Sequence, residues 1–349
     1  MQNVIEIDGS AGGGQILRAA LALSAGTGRA FRITKIRSRR PRPGLMRQHL
    51  TAVRAAAMIC GAETEGAEFG SSELIFRPGP VRPGHYEFEI GSGGSTVLVM
   101  QAAVPGLMRA LRQGGKASLT VTGGTVCPMA PLFAFLKETL EPHLQALGWP
   151  VRFSLVRHGF YQNGGGILRM EAEGPFEPVP LCLESRGPVL RADAEVLNVG
   201  LPQQIADREV KVILRELAGR CSTGQGPKVI TDAGAPGTAN AVLIRLRTTA
   251  QTYVFSETGS PTVSAETVAK KAASDALVFL SRSAPVPSRL ADQLLVPMAL
   301  SAGGRFLTTR PSAHTRSCAE VVGRFLEKTV MFEESDAGWL ITVPAFGEE

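Results

Sequence analysis

Apolar and polar positions change period along this chain in a fixed order. Residues 4–8 alternate as a strand does, 15–24 follow helical spacing, and 31–36 alternate again. A helical stretch at 47–60 sets Leu50, Val53, Ala57 and Cys60 on one face, and short strand-like runs follow at 63–68 and 73–76. Turn-forming residues separate these pieces, so the predicted order is βαβαββ.

The order then returns. A strand at 86–90, a helix at 96–111, a strand at 117–122, a helix at 130–147 and strands at 151–156 and 167–172 make a second copy. A third is split: 179–183 supplies its first strand, and 290–301, 305–309, 315–326, 329–332 and 339–343 supply the remaining αβαββ. Between the two pieces, strands at 192–199, 241–247 and 253–256 and helices at 204–218 and 265–280 have a pattern of their own. That stretch reads as an inserted domain, since insertions are tolerated at exposed loops whose ends lie close together. The expected fold class is α/β (α+β). Three βαβαββ repeats over about 1–80, 81–175 and 176–183 plus 285–349 form one domain (1–183 and 285–349), and 184–284 forms a smaller inserted α/β domain.

Composition narrows the function classes. The chain is 44% hydrophobic with mixed charge and no low-complexity tract, as an ordered protein with a large core should be. A net charge of +6 suits an anionic partner without demanding nucleic acid. The most apolar run, 96–108, is interrupted by Gln101 and Pro105, so no membrane span is expected, and the absence of a charged-then-apolar leader points to the cytoplasm. The five cysteines (Cys60, Cys127, Cys182, Cys221 and Cys318) are scattered without a CxxC spacing, which supports neither a disulfide framework nor a zinc site. The five histidines form no HExxH arrangement.

Candidate chemistry begins in residues 35–49, KIRSRRPRPGLMRQH. Here Lys35, Arg37, Arg39, Arg40, Arg42 and Arg47 precede or enter a helix, combining guanidinium charge with free backbone N–H groups. Upstream, Gly12, Gly13 and Gly14 join a strand to a helix, a second place to seat a phosphate; 91–94 and Gly123-Gly124 are similar loops. None reads GxxxxGK[ST] or GxGxxG in context, so neither a P-loop nor a Rossmann dinucleotide site is supported. His314 opens an amphipathic helix; an imidazole that is neutral near pH 7 can attack an electrophile, whereas the bland role is a cap or surface residue. Asp292 and Gln293 stand at another helix start, where simple capping is the plain reading.

Taken together, DGSAGGGQILR, IRSRRPRPGLMRQHL, GSGGSTVLVMQ, GGT with a following AP, HGFYQNGGG, LADQLLVPMAL and the His314 segment occur in the order seen in RNA 3′-terminal phosphate cyclases. The chain resembles that family from about residue 5 to the last helix. The resemblance implies three repeats like the C-terminal domain of translation initiation factor 3 with an inserted domain. It also implies ATP-dependent closure of an RNA 3′-terminal phosphate to a 2′,3′-cyclic phosphate through an adenylylated histidine, releasing AMP and diphosphate. By motif position the nucleophile is His314. Arg18, Arg37, Arg40 and Gln48 match positions that serve the phosphates and the RNA end, with Arg42, Arg47 and His49 in a weaker supporting role. Gln101, Pro131, Arg289, Leu290, Ala291, Asp292 and Gln293 match the adenylate pocket. ATP and a divalent metal, magnesium or manganese, are implied, and the implied partner is RNA with a 3′-terminal phosphate.

The chain departs from the family pattern where Ala11 replaces the loop glutamate, Arg289 an aromatic, Val126 an Asp or Asn, and Cys318 an Asn. No metal ligand is therefore assigned. Related architectures give two competing readings: a non-catalytic cyclase-like RNA-binding or ribosome-assembly protein, and an enolpyruvyl transferase.

Overall fold

A computed structural model describes residues 4–161, 163–223, 226–232, 234, 235 and 237–347. The first repeat runs β1 (Ile5–Asp8), α1 (Gly14–Thr27), β2 (Phe31–Thr34), α2 (Arg47–Ile59), β3 (Glu63–Glu65) and β4 (Leu74–Arg77). β1 pairs parallel with β2, which pairs antiparallel with β4, and β4 with β3, so the sheet order is β1-β2-β4-β3. Parallel strands need a crossover, and α1 supplies it.

The second repeat has β5 (His85–Glu89), α3 (Thr96–Leu111), β6 (Gly115–Gly123), a second helical stretch, β7 (Arg152–Arg157) and β8 (Gly166–Gly174), in the sheet order β5-β6-β8-β7. The stretch expected as one helix over 130–147 is broken in character: α4 (Phe133–Phe135) passes through a π-helical turn at Leu136–Leu140 into α5 (Glu141–Ala146). β9 (Leu181–Leu183) opens the third repeat.

The inserted elements follow: β10 (Val189–Val199), α6 (Gln203–Leu217), β11 (Lys228–Ile230), β12 (Ala239–Thr248), β13 (Thr252–Thr258) and α7 (Ala265–Leu280). They make a separate sheet, β11-β10-β12-β13, packed against α6 and α7. The short parallel edge strand β11 has only three residues and carries no alternation in the sequence. The third repeat then resumes with α8 (Ser288–Leu300), β14 (Gly304–Thr308), α9 (Ala313–Leu326), β15 (Met331–Ser335) and β16 (Gly338–Val343). β9 pairs parallel with β14 across the insertion, giving β9-β14-β16-β15, the same order as the other two repeats. The expected threefold βαβαββ architecture with an insertion is the architecture of the protein.

α1 is the central helix. Residues from Ile16 to Ala25 are buried nearly all round it, with Arg18 the partly exposed exception, and it packs on α2, α3, α8 and α9. Counted from the first residue of each helix, Gln101 and Pro105 of α3 occupy the same places as Gln293 and Pro297 of α8. α1 presents Arg18 and Ala22 at the same spacing. A proline inside a helix has no N–H for the carbonyl four residues back, which leaves the carbonyls of Gln101 and Gln293 without their usual helical donor.

The inserted domain docks on the π turn. Arg245 donates to Glu138 at 2.9 Å, Thr139 Oγ1 donates to the Thr252 carbonyl at 3.2 Å, and the Val254 N–H donates to Thr139 Oγ1 at 2.9 Å. Inside that domain Asn198 and Asn240 face each other across β10 and β12 and so share a face of the sheet. Asn240 donates to Glu209 Oε2 at 2.9 Å, while Glu209 Oε1 and Asn198 Oδ1, both buried, have no partner among the described residues. Burial pushes the Glu209 carboxyl up from 4.5 to about 7.

Its stabilising contribution is therefore complete below about pH 4.5 and is lost as pH rises toward about 7, amounting to about 3 kcal/mol. Thermal melting of wild type should show this fall between about pH 4.5 and 7, and Glu209→Gln should flatten it. Identical pH profiles for the two proteins would contradict a buried, titrating Glu209.

Candidate active site

The site forms where the inner helices of the three repeats converge. Gln15 and Arg18 of α1, Gln101 of α3 and Asp292 and Gln293 of α8 make its polar wall. Leu136, Leu140, Trp149, Phe153 and Cys318 are among the residues of its apolar wall. The pocket has a cavity volume of about 80 Å³ and opens to solvent. Gln101 Nε2 donates to Gln293 Oε1, tying the equivalent positions of α3 and α8 together.

His314 stands exposed at this rim on the first turn of α9. Ser312 caps the helix: its hydroxyl accepts the Thr315 N–H at 2.9 Å, and its own N–H donates to Thr315 Oγ1 at 3.0 Å. Asp292 does not cap its own helix: it lies inside α8 and accepts from the hydroxyls of Ser312, at 2.7 Å, and Thr315, at 2.5 Å, so it buttresses the start of α9. Burial raises the Asp292 carboxyl from its ordinary value despite these donors. Gln15 Nε2 donates to the His314 carbonyl at 3.3 Å, joining the glycine loop of the first repeat to the histidine of the third.

The glycine loop is shaped by what lies against it. A Cβ on Gly13 would sit 2.9 Å from an Arg40 guanidinium nitrogen, and one on Gly14 would sit 2.4 Å from His49 Nε2 and 3.1 Å from Arg18. Only glycine lets Arg40, His49 and Arg18 close on this loop. Arg37 adopts φ 54°, a left-handed conformation uncommon for a non-glycine residue, and its guanidinium donates to the Gly44 carbonyl at 2.8 Å. Burial lowers the Arg18 guanidinium to about 10, and burial together with Arg40 lowers that of Arg37. Arg18 has no hydrogen bond or ion pair among the described residues. Unbalanced cationic groups around a glycine loop form a ready seat for an anion.

Not every expected residue joins this cluster. Arg42 is exposed, and Lys35 pairs with Asp8 at 3.0 Å. Arg47 donates to the Gly91 carbonyl at 2.6 Å and Gln48 Oε1 accepts the Ser95 N–H at 2.7 Å; both brace the glycine loop of the second repeat. Arg289 turns toward the inserted domain, donating to the Ser256 carbonyl at 3.0 Å and pairing with Asp275 at 3.2 Å. Leu290 and Ala291 are fully buried core side chains. Pro131 is half-buried in the loop before α4. Ala11 ends a 3-10 turn capped by Asp8. Val126 is buried, and Cys318 is buried beside Arg18 and Asp292, with its thiol pushed up to about 12.

Sequence reasoning missed Gln15 and the apolar wall, while His49 lies against the glycine loop at Gly14. Gln15 lay in plain view inside GGGQILR, whereas Trp149 and Phe153 carry no signal apart from the fold. Among the described residues no group of three His, Cys, Asp or Glu side chains could hold a metal ion, and no helix is long and apolar enough to cross a membrane. All five cysteines are free, and Cys182 is the exposed one.

Comparison with known proteins agrees with this geometry. The family model described as RNA 3′-terminal phosphate cyclase matches residues 10–332. A protein of that name from Pseudomonas fluorescens is 43% identical over 328 residues, 93% of each chain. One from Salmonella enteritidis is 41% identical over 347 residues, covering 98% of this chain and 99% of the relative. One from Ectopseudomonas mendocina is 41% identical over 335 residues, 96% of each. With a family match reaching from the glycine loop past the His314 helix, the chain belongs to the RNA 3′-terminal phosphate cyclase family.

Proposed function

We propose that the protein converts an RNA 3′-terminal phosphate to a 2′,3′-cyclic phosphate with ATP, through a nucleotidyl group carried on His314. The observation that carries this reading is an exposed histidine at the rim of a pocket whose unpaired Arg18, with Arg37 and Arg40, awaits phosphate charge.

A ring nitrogen of His314 attacks the α-phosphorus of ATP. The N–P bond forms as the bond to the diphosphate oxygen breaks, and diphosphate leaves. An oxygen of the RNA 3′-phosphate then attacks the same phosphorus, the N–P bond breaks, and AMP passes to the RNA end. The adjacent 2′-hydroxyl, losing its proton, attacks the terminal RNA phosphorus and expels AMP. Arg18, Arg37 and Arg40 offset the negative charge on the phosphates, and Gln101, Gln293 and the apolar wall receive the nucleoside. Magnesium or manganese belongs to this reading as the companion of the nucleotide phosphates, and no step is assigned to it.

An oligonucleotide with a labelled 3′-phosphate tests the reading. With ATP the label should become resistant to phosphomonoesterase. Folded protein that binds the RNA but leaves the label sensitive with either metal would favour RNA binding without turnover. Asp292 should act as a positioning residue: Asp292→Ala strands two hydroxyls and should cost about 1–2 kcal/mol of stability. Thermal melting and the rate of His314 labelling should fall together in that variant, whereas an unchanged melting temperature would remove Asp292 from this role.

A further inference from the structure

We infer that His49 is a neutral hydrogen-bond donor for a bound phosphoryl oxygen, holding its single proton on Nε2 beside Gly14 and Arg18. The Met46 backbone N–H donates to His49 Nδ1 at 3.2 Å, so Nδ1 acts as an acceptor and the proton of the neutral ring sits on Nε2. That nitrogen faces Gly14, where a Cβ would meet it at 2.4 Å and an Arg18 nitrogen at 3.1 Å. Among the described residues Nε2 has no hydrogen-bond partner.

The charged groups facing the ring are all arginines: Arg18 from α1 and Arg37 from the loop after β2, with Arg40 against Gly13. In the free protein burial, then Arg37 and Arg18, pull the imidazole down to about 3, so the ring that meets the phosphate is neutral. It adds one directed N–H to the guanidinium cluster without adding charge, which a fourth arginine could not do without further repulsion.

Two substitutions separate this role from simple helix capping. Asn places an oxygen where Nδ1 lies, keeping the bond from Met46 and losing the distal donor. Gln carries an N–H near the Nε2 position and loses the cap. The inference rests on the cyclase reading only for which phosphate is bound, so binding of inorganic diphosphate, measured by calorimetry, is the first readout.

His49→Asn should melt like wild type yet lose about tenfold in diphosphate affinity, and His49→Gln should restore most of that loss. The opposite ranking, equal affinities in all three proteins, or no diphosphate binding by wild type would overturn the inference. Two further arms locate the phosphate. Slower His314 labelling by His49→Asn with unchanged KM for a 3′-phosphorylated oligonucleotide assigns the contact to the nucleotide, and a raised KM with normal labelling assigns it to the RNA end. If wild type binds diphosphate with this ranking but never transfers a nucleotide, the cyclase reading fails and the donor role stands. Loss of the acid limb of the pH–rate profile in His49→Gln would also overturn it, by showing that His49 titrates in the working range.

Discussion

His314→Ala should take up no label from ATP carrying a radioactive α-phosphate, whereas wild type retains an acid-labile label through a denaturing gel. Removing a covalent nucleophile costs about 10⁴-fold or more, because the other groups at the site can orient the phosphate but cannot form the N–P bond. The fold should not suffer. His314 is exposed, and the first turn of α9 is held by Ser312, Thr315 and Asp292 rather than by the imidazole. Melting temperatures of the two proteins should agree within the scatter of exposed surface substitutions. Full cyclising activity in the variant would refute the covalent route, and absence of label on wild type with either metal would refute nucleotidyl transfer altogether.

Arg18→Met should separate activity from stability. The guanidinium is desolvated and lacks an anionic partner among the described residues, so in the free protein it is a cost that the bound phosphate repays. A methionine of similar length keeps the packing against the pocket and removes the charge. Labelling of His314 should fall about 10²- to 10³-fold, the usual consequence of losing a directed charge on a reacting phosphate. The melting temperature should hold or rise, as when an active site trades stability for function. A melting temperature several degrees lower would show that Arg18 holds the fold, and undiminished labelling would remove it from the phosphate site.

The hydrophobic period was a good guide wherever packing alone decides structure. The helices expected at 96–111 and 265–280 are α3 and α7 with those same bounds, and the split third repeat closes by β9 pairing with β14. Each of these segments carries its signal in its own residues. The π turn at Leu136–Leu140 does not, since its extra residue is supported from outside by Arg245, Thr252 and Val254 of the inserted domain.

The site was legible in the same partial way. His314, Arg18, Arg37 and Arg40 stand out by chemistry and motif, and the structure gathers them round one rim and loop. The family resemblance assigns all of 289–293 to the pocket, but successive helical residues turn by about 100° and cannot all face one side. Asp292 and Gln293 face the pocket while Leu290 and Ala291 enter the core. Arg289 is captured by Ser256 and Asp275, which lie far away in sequence. Asp292 buttressing another helix, and Met46 fixing the His49 tautomer, depend on through-space contacts that no local pattern encodes.

The pairing of β9 with β14 also dictates an order of assembly. On a ribosome the first two sheets can close from contiguous chain, but β9 emerges and must wait, edge unpaired, until the whole inserted domain and α8 have been made. Long-range strand pairing is slow because its loop must close before any contact rewards it. The inserted domain can build its own sheet in that interval and dock on the π turn, bringing Leu183 and Ser288 toward each other. His314 arrives with α9, after the glycine loop, the arginine cluster and the walls from α1, α3 and α8 have been made. A nascent chain that stalls before α9 would carry the arginine cluster without His314 or Cys318, so on the proposed mechanism release of a partly made chain yields a binder of anions and never an active cyclase.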